Sequence, residues 1–249
     1  MNGKGGTGKT TIASLFVNHI AAKHLGTVLA IDADPNSCLA ENLGFAKAES
    51  IVGTCEDISK NMDKIPSGMT KERFIGMKVQ EAVEEADDFD LLVMGRPEGP
   101  GCYCYVNNLL RDMTSKLTTS YDFVVIDNAA GMEHISRRTM RQTCTLVLVS
   151  DYSIIGVRST KRIYELAKEI GIKIDGAYLV LNKVSGPVSA ELRKEIDASE
   201  LELAGTLPYN EELVKWSISS KPIFDFSDKT IKDGIEGIFN KIMERKKCR

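Results

Sequence analysis

The chain opens Met1-Asn2-Gly3-Lys4-Gly5-Gly6-Thr7-Gly8-Lys9-Thr10-Thr11, and residues 3–10 have the form G-x-x-x-x-G-K-[ST]. That is the spacing of a loop that wraps phosphate. Gly3, Gly5, Gly6 and Gly8 let successive backbone N–H groups turn inward around phosphate oxygens, with Thr7 and Thr11 in the same turn. Lys9 has the reach for the β and γ phosphates, and the Thr10 hydroxyl suits Mg²⁺. A nucleoside triphosphate is therefore the first ligand to consider. A glycine-rich turn that only led into a helix would need neither Lys9 nor Thr10.

Three further groups of residues extend this chemistry. Phe123-Val124-Val125-Ile126-Asp127 is an apolar strand ending in an aspartate, the way a second carboxylate is presented on the magnesium side of a phosphate loop. It runs on to Gly131 and His134, where Gly131 can offer its N–H to a γ-phosphate and give way on hydrolysis. Asp32 and Asp34 follow another apolar run, at the end of the sheet where ligands bind; for Asp34 the alternative is a helix cap. A guanine-reading site would be N-K-x-D, whereas this chain has Asn182-Lys183-Val184-Ser185, so ATP is expected rather than GTP. Pro208-Tyr209-Asn210 is placed to wall the adenine. Finally, Cys102 and Cys104, two apart in an extended stretch, project to one side, and a helix start near Val106 would favour their thiolates. Two thiolates leave a metal under-coordinated, so metal binding predicts a dimer whose two-fold axis supplies four sulfurs. Tetrahedral sulfur suits Zn²⁺ or an iron–sulfur cluster, and square-planar geometry suits Ni²⁺.

Positioning these groups requires a sheet. Apolar runs at 27–31, 91–94, 123–126, 145–149, 177–181 and 204–207 alternate with amphipathic stretches such as 159–170 and 189–196. The rhythm predicts an α/β fold, a doubly wound and mostly parallel sheet, in a single domain over residues 1–249. The acidic stretch Glu81, Glu84, Glu85, Asp87, Asp88 and Asp90 reads as a solvated helix end. The last helix gathers Ile231, Ile235, Ile238, Phe239, Ile242 and Met243 on one face; it could lie on a membrane, but an open sheet needs it as cover.

With 43% hydrophobic residues, the chain can bury a large core, and no apolar run is long enough to span a bilayer. A net charge of −3 and the acidic stretch argue against non-specific DNA binding, and no nucleic acid is expected as partner, although the last helix ends in the basic residues Arg245, Lys246, Lys247 and Arg249. The expected setting is cytoplasmic, where six irregularly spaced cysteines do not form a disulfide framework. Only two residues precede the phosphate loop, so the first strand that normally leads into it reads as truncated. The natural product is accordingly expected to begin several residues upstream.

Lys4-Gly5-Gly6-Thr7-Gly8-Lys9-Thr10 resembles the deviant Walker A motif of dimeric P-loop ATPases that include septum- and chromosome-positioning ATPases, nitrogenase iron protein and metal-insertion ATPases. The resemblance spans essentially the whole chain. It implies that Lys4 reaches across a homodimer to the partner's phosphates, that Asp34 orients the attacking water, and that Thr10, Asp32 and Asp127 surround magnesium. It also implies an adenine pocket at Asn182 and Pro208. Within that family, the segment from Gly95 through Cys102 and Cys104 to Asn108, with the switch from Asp127 to His134, resembles the nickel-insertion ATPases that mature carbon monoxide dehydrogenase. Nickel as cargo, that dehydrogenase as client, and a dimer promoted by ATP and metal are implied by this resemblance. Two other readings stay open. One is an iron–sulfur electron-transfer ATPase similar to nitrogenase iron protein, which needs a second cysteine soon after the switch, where the next is Cys144. The other is a membrane- or DNA-positioning ATPase.

Overall fold

The structure, a computed structural model, describes residues 1–45, 48–54, 65–95, 116–130, 144–219 and 221–247. In chain order, β1 (Asn2–Gly3) leads into α1 (Lys9–Ala22), followed by β2 (Val28–Ala33) and α2 (Cys38–Asn42). Next come α3 (Lys71–Glu81), β3 (Val83–Glu85), β4 (Asp90–Val93), β5 (Phe123–Asn128) and β6 (Cys144–Ser150). The remainder is α4 (Ile154–Glu169), β7 (Ile174–Val184), α5 (Ala190–Asp197), β8 (Glu202–Pro208), α6 (Glu211–Ile218) and α7 (Lys229–Lys247). Every apolar run singled out from the sequence is a strand.

The strands pair in the orders β3-β4-β2-β5 and β1-β6-β7-β8, all parallel except the β3–β4 edge. Met1 links the two sets: its amino group donates to the Ile126 carbonyl at 2.5 Å, and its own carbonyl accepts from the Asn128 N–H at 3.3 Å. Two departures from the sequence reading stand out. The acidic stretch is not simply a helix end, because Glu81 closes α3 while 83–85 form an antiparallel edge strand on β4. Edge strands tolerate charge because one side meets water, and that hides them from an apolar-run search. In addition, Asn2 and Gly3 do pair with β6, opposite Leu148 and Val149, so a strand of two residues leads into the loop.

Alternation along the central strands shows how the layers are filled. Val28 and Ala30 of β2, Leu91 and Val93 of β4, Val147 and Val149 of β6, and Tyr178 and Val180 of β7 all pack into one core with α1, α2 and α7. The residues between them face the other way: Leu29, Ile31 and Leu92 pack with Phe74, Ile75 and Val79 of α3, and Leu146, Leu148, Leu179 and Leu181 pack with α4 and α5. A period of two on strands buried on both faces is what a doubly wound sheet demands. The apolar face of α7 is consumed here: Ile231, Ile235, Ile238, Phe239 and Ile242 are all buried, and the Phe239 ring meets Phe16 of α1 edge-on at 6.0 Å. Truncating Ile235 to alanine is expected to cost about 2–5 kcal/mol and to lower the melting temperature by roughly 5–15 °C. A calorimetric shift under about 2 °C would contradict that packing.

Candidate phosphate-binding site

The C-terminal ends of the parallel strands converge on the loop between β1 and α1, where an α/β sheet presents its ligand site. Gly6 and Gly8 have φ of +78° and +91°, the left-handed region that glycine enters without cost. Gly8 caps α1 without a side-chain hydrogen bond, and the first turn carries no acidic residue. The N–H groups of that turn are thus left for an anion. A Cβ on Gly8 would stand 2.4 Å from Asn182 Nδ2, so space as well as φ reserves the position for glycine. The Lys4 carbonyl accepts from Lys9 Nζ at 3.3 Å and from the Thr7 hydroxyl at 3.0 Å, which closes the loop on itself. Lys4's side chain is exposed, Lys9 and Thr7 are buried, and Thr11 is half-buried in the first turn of α1.

Beside the loop, β2 and β5 run in register, so Asp32 and Asp127 are neighbours, both fully buried. The Thr10 hydroxyl donates to Asp127 Oδ2 at 2.6 Å, while Asp127 Oδ1 is buried with no hydrogen-bond partner. A buried carboxylate oxygen without a partner is costly. A divalent cation bearing water would satisfy it, so Thr10 and Asp127 fit magnesium. When bound with the nucleotide, magnesium supplies positive charge to the phosphate oxygens. Burial raises the Asp127 carboxyl above its ordinary range, against the hydrogen bond from Thr10 and the charges of the N-terminal amine and Lys9.

Asp32 is pushed up to about 6 by burial, held back by backbone N–H groups and raised further by Asp127 and Asp34. Its Oδ1 accepts from the Asp34 N–H at 3.1 Å and its Oδ2 from the Ala40 N–H at 2.9 Å, so it organises the loop after β2. Asp34 is half-buried, and its Oδ1 accepts from both nitrogens of Asn36 at 2.9 Å. It caps no helix, since α2 begins after Ser37.

On the other flank, Asn182 is buried at the end of β7, with Nδ2 donating to the Thr7 carbonyl at 2.8 Å. The second N–H of that amide is left for a ligand. Tyr209 N–H donates to the Val184 carbonyl at 2.9 Å, setting Pro208 beside the Asn182 turn. Asn210 is occupied otherwise: its Oδ1 caps α6 by accepting from the Leu213 N–H at 2.8 Å. Gly131, His134, Cys102 and Cys104 lie outside the described residues. The root of the cysteine segment does not: the Met94 N–H donates to the Asp32 carbonyl at 2.8 Å, immediately before Gly95. One residue here was not singled out from the sequence, Lys183, whose ammonium reaches the phosphate loop. The only signal for it was the Asn-Lys pair itself.

Comparison with known proteins agrees with this geometry. Over 249 residues the chain is 38% identical to an uncharacterized ATP-binding protein of Methanocaldococcus jannaschii, covering 99% of this chain and 98% of that one. It is 27% identical to the carbon monoxide dehydrogenase accessory protein CooC of Rhodospirillum rubrum, covering 98% and 95% of the two chains. Among solved structures, the cell division protein MinD of Aquifex aeolicus superposes with a TM-score of 0.70 at 19% identity, over 98% of this chain and 94% of the other. Residues 1–223 match the CobQ/CobB/MinD/ParA nucleotide binding domain, so the chain belongs to that family of P-loop ATPases and hydrolyses ATP.

Proposed function

We propose that this ATPase is a metallochaperone that carries Ni²⁺ on Cys102 and Cys104 and delivers it to carbon monoxide dehydrogenase. A homodimer, closed by ATP and by the metal, would bring both cysteine pairs to one two-fold axis. The observation that carries the reading is the Cys-x-Cys pair on a segment rooted at Met94, one hydrogen bond from Asp32 in the nucleotide site. A change at the γ-phosphate that moves the strand end at Asp32 has a direct mechanical route to the base of that segment. Similarity to the accessory protein CooC supports the same client. In this scheme Lys4, Lys9 and Asp34 carry hydrolysis. Gly3, Gly5, Gly6, Thr7, Gly8, Thr11, Gly131, Asn182 and Pro208 hold ATP, while Thr10, Asp32 and Asp127 surround Mg²⁺.

Two features weigh against the rival readings. Cys144 opens β6 at the end opposite Ser150, six residues away. At ~3.3 Å per residue this places it about 20 Å along β6 from the strand's nucleotide-side end. The apolar face of α7 is spent on the core, which weighs against that face as a membrane anchor.

Titrating the protein with Ni²⁺ and Zn²⁺, with and without ATP, tests the proposal. About one Ni²⁺ per two chains, a thiolate-to-nickel charge-transfer band and a shift to dimer mass are expected. The Cys102→Ala/Cys104→Ala variant should lose the band and at least about a hundredfold in affinity. Equal metal binding by variant and wild type would overturn it, and tight zinc with no nickel binding would replace nickel as the cargo.

A further inference from the structure

We infer that Lys183 is a positioning residue of the ATP site, aiming the N–H groups of the phosphate loop from its place at the end of β7. Lys183 is exposed, yet its Nζ donates to the Gly6 carbonyl at 2.8 Å. Its neighbour Asn182 donates through Nδ2 to the Thr7 carbonyl at 2.8 Å, and Asn182 Oδ1 accepts from the Lys183 N–H at 2.9 Å. Consecutive carbonyls of the loop are thus tied to consecutive side chains of one strand end. In a planar trans peptide, the C=O of one residue and the N–H of the next point in opposite directions. Drawing the Gly6 and Thr7 carbonyls toward β7 therefore turns the N–H groups of Thr7 and Gly8 the other way, into the phosphate cradle. Gly6 and Gly8, with their left-handed φ, are free to swing these peptide planes unless something holds them.

The backbone of Lys183 supports the assignment. Its φ of +58° lies in the left-handed region, which disfavours a lysine and suits glycine or asparagine. A residue placed there for turn geometry alone would be better as glycine. The Asn-Lys half of a guanine-reading motif therefore serves the loop here, with Ser185 in place of the base-reading carboxylate.

Lys183→Gly separates the two roles, because it relieves the backbone and removes the ammonium. The nucleotide-free melting temperature should hold or rise by about 2 °C, while the Kd for ATP and ADP by calorimetry, and the KM for ATP, rise about tenfold. At saturating ATP, kcat should stay within about twofold, since the loop still closes once filled. Lys183→Met should weaken binding equally at unchanged melting temperature, and Lys183→Arg should recover affinity to within about threefold. Nucleotide affinity at the wild-type level in both Lys183→Gly and Lys183→Met would overturn the assignment. So would a loss of affinity that follows a loss of thermal stability, or a fall in kcat with KM unchanged.

Discussion

Replacing Asp127 by asparagine is expected to slow ATP hydrolysis by about 10²–10³-fold while raising the melting temperature of the nucleotide-free protein. Both effects follow from one geometry. Asparagine keeps an acceptor for the Thr10 hydroxyl, now 2.6 Å from Oδ2, but brings no charge to the magnesium side. Without ligand, the carboxylate is a buried charge with one oxygen unpartnered, so removing it relieves the fold. The pH dependence carries the same sign. Asp32, at about 6, and Asp127 are raised by burial, so below those values the folded chain binds protons that the unfolded chain has already released. The contribution of these two groups to nucleotide-free stability should therefore rise as pH falls from about 6 toward the ordinary carboxylate range near 4. The difference in stability between wild type and the Asp32→Asn/Asp127→Asn variant, measured across that range, should show it. Hydrolysis within about threefold of wild type in Asp127→Asn would remove the residue from the magnesium side.

The sheet and phosphate loop were legible in the sequence for a physical reason. Strands such as β2 and β7 are buried on both faces, so they read as unbroken apolar runs, and the loop's glycines are fixed by φ and by space at Gly8. What escaped was of another kind. The β3 edge is written in acidic residues because one side of it meets solvent. Asp32, expected at magnesium, also spends both oxygens on loop N–H groups, a role that depends on where Ala40 returns in space. Lys183 binds across 177 residues of sequence to Gly6, and no local spacing encodes such a contact. Local pattern thus located the site, while the contacts that hold its parts in relation are long-range.

Lys4→Ala is expected to bind ATP within about threefold of wild type and yet hydrolyse it about 10²–10³-fold more slowly. The main chain of Lys4 is committed to its own loop, since its carbonyl accepts from Lys9 and Thr7, whereas its side chain is exposed. An exposed ammonium on a loop that already holds Lys9 adds little to binding within one chain. In the homodimer proposed above it would gain strength at the γ-phosphate of the second chain, where closure would remove water around it. Mixing separates action within a chain from action between chains. In an equal mixture of Lys4→Ala and Lys9→Ala proteins, each individually inactive, half the dimers are mixed. In each of these the Lys4→Ala chain keeps an intact ATP loop and receives Lys4 from its partner. About a quarter of the wild-type rate should return, and it should fall on dilution as the dimers dissociate. An equal mixture that stays as slow as either variant alone would place Lys4 in its own chain's site and remove the requirement for a dimer in hydrolysis.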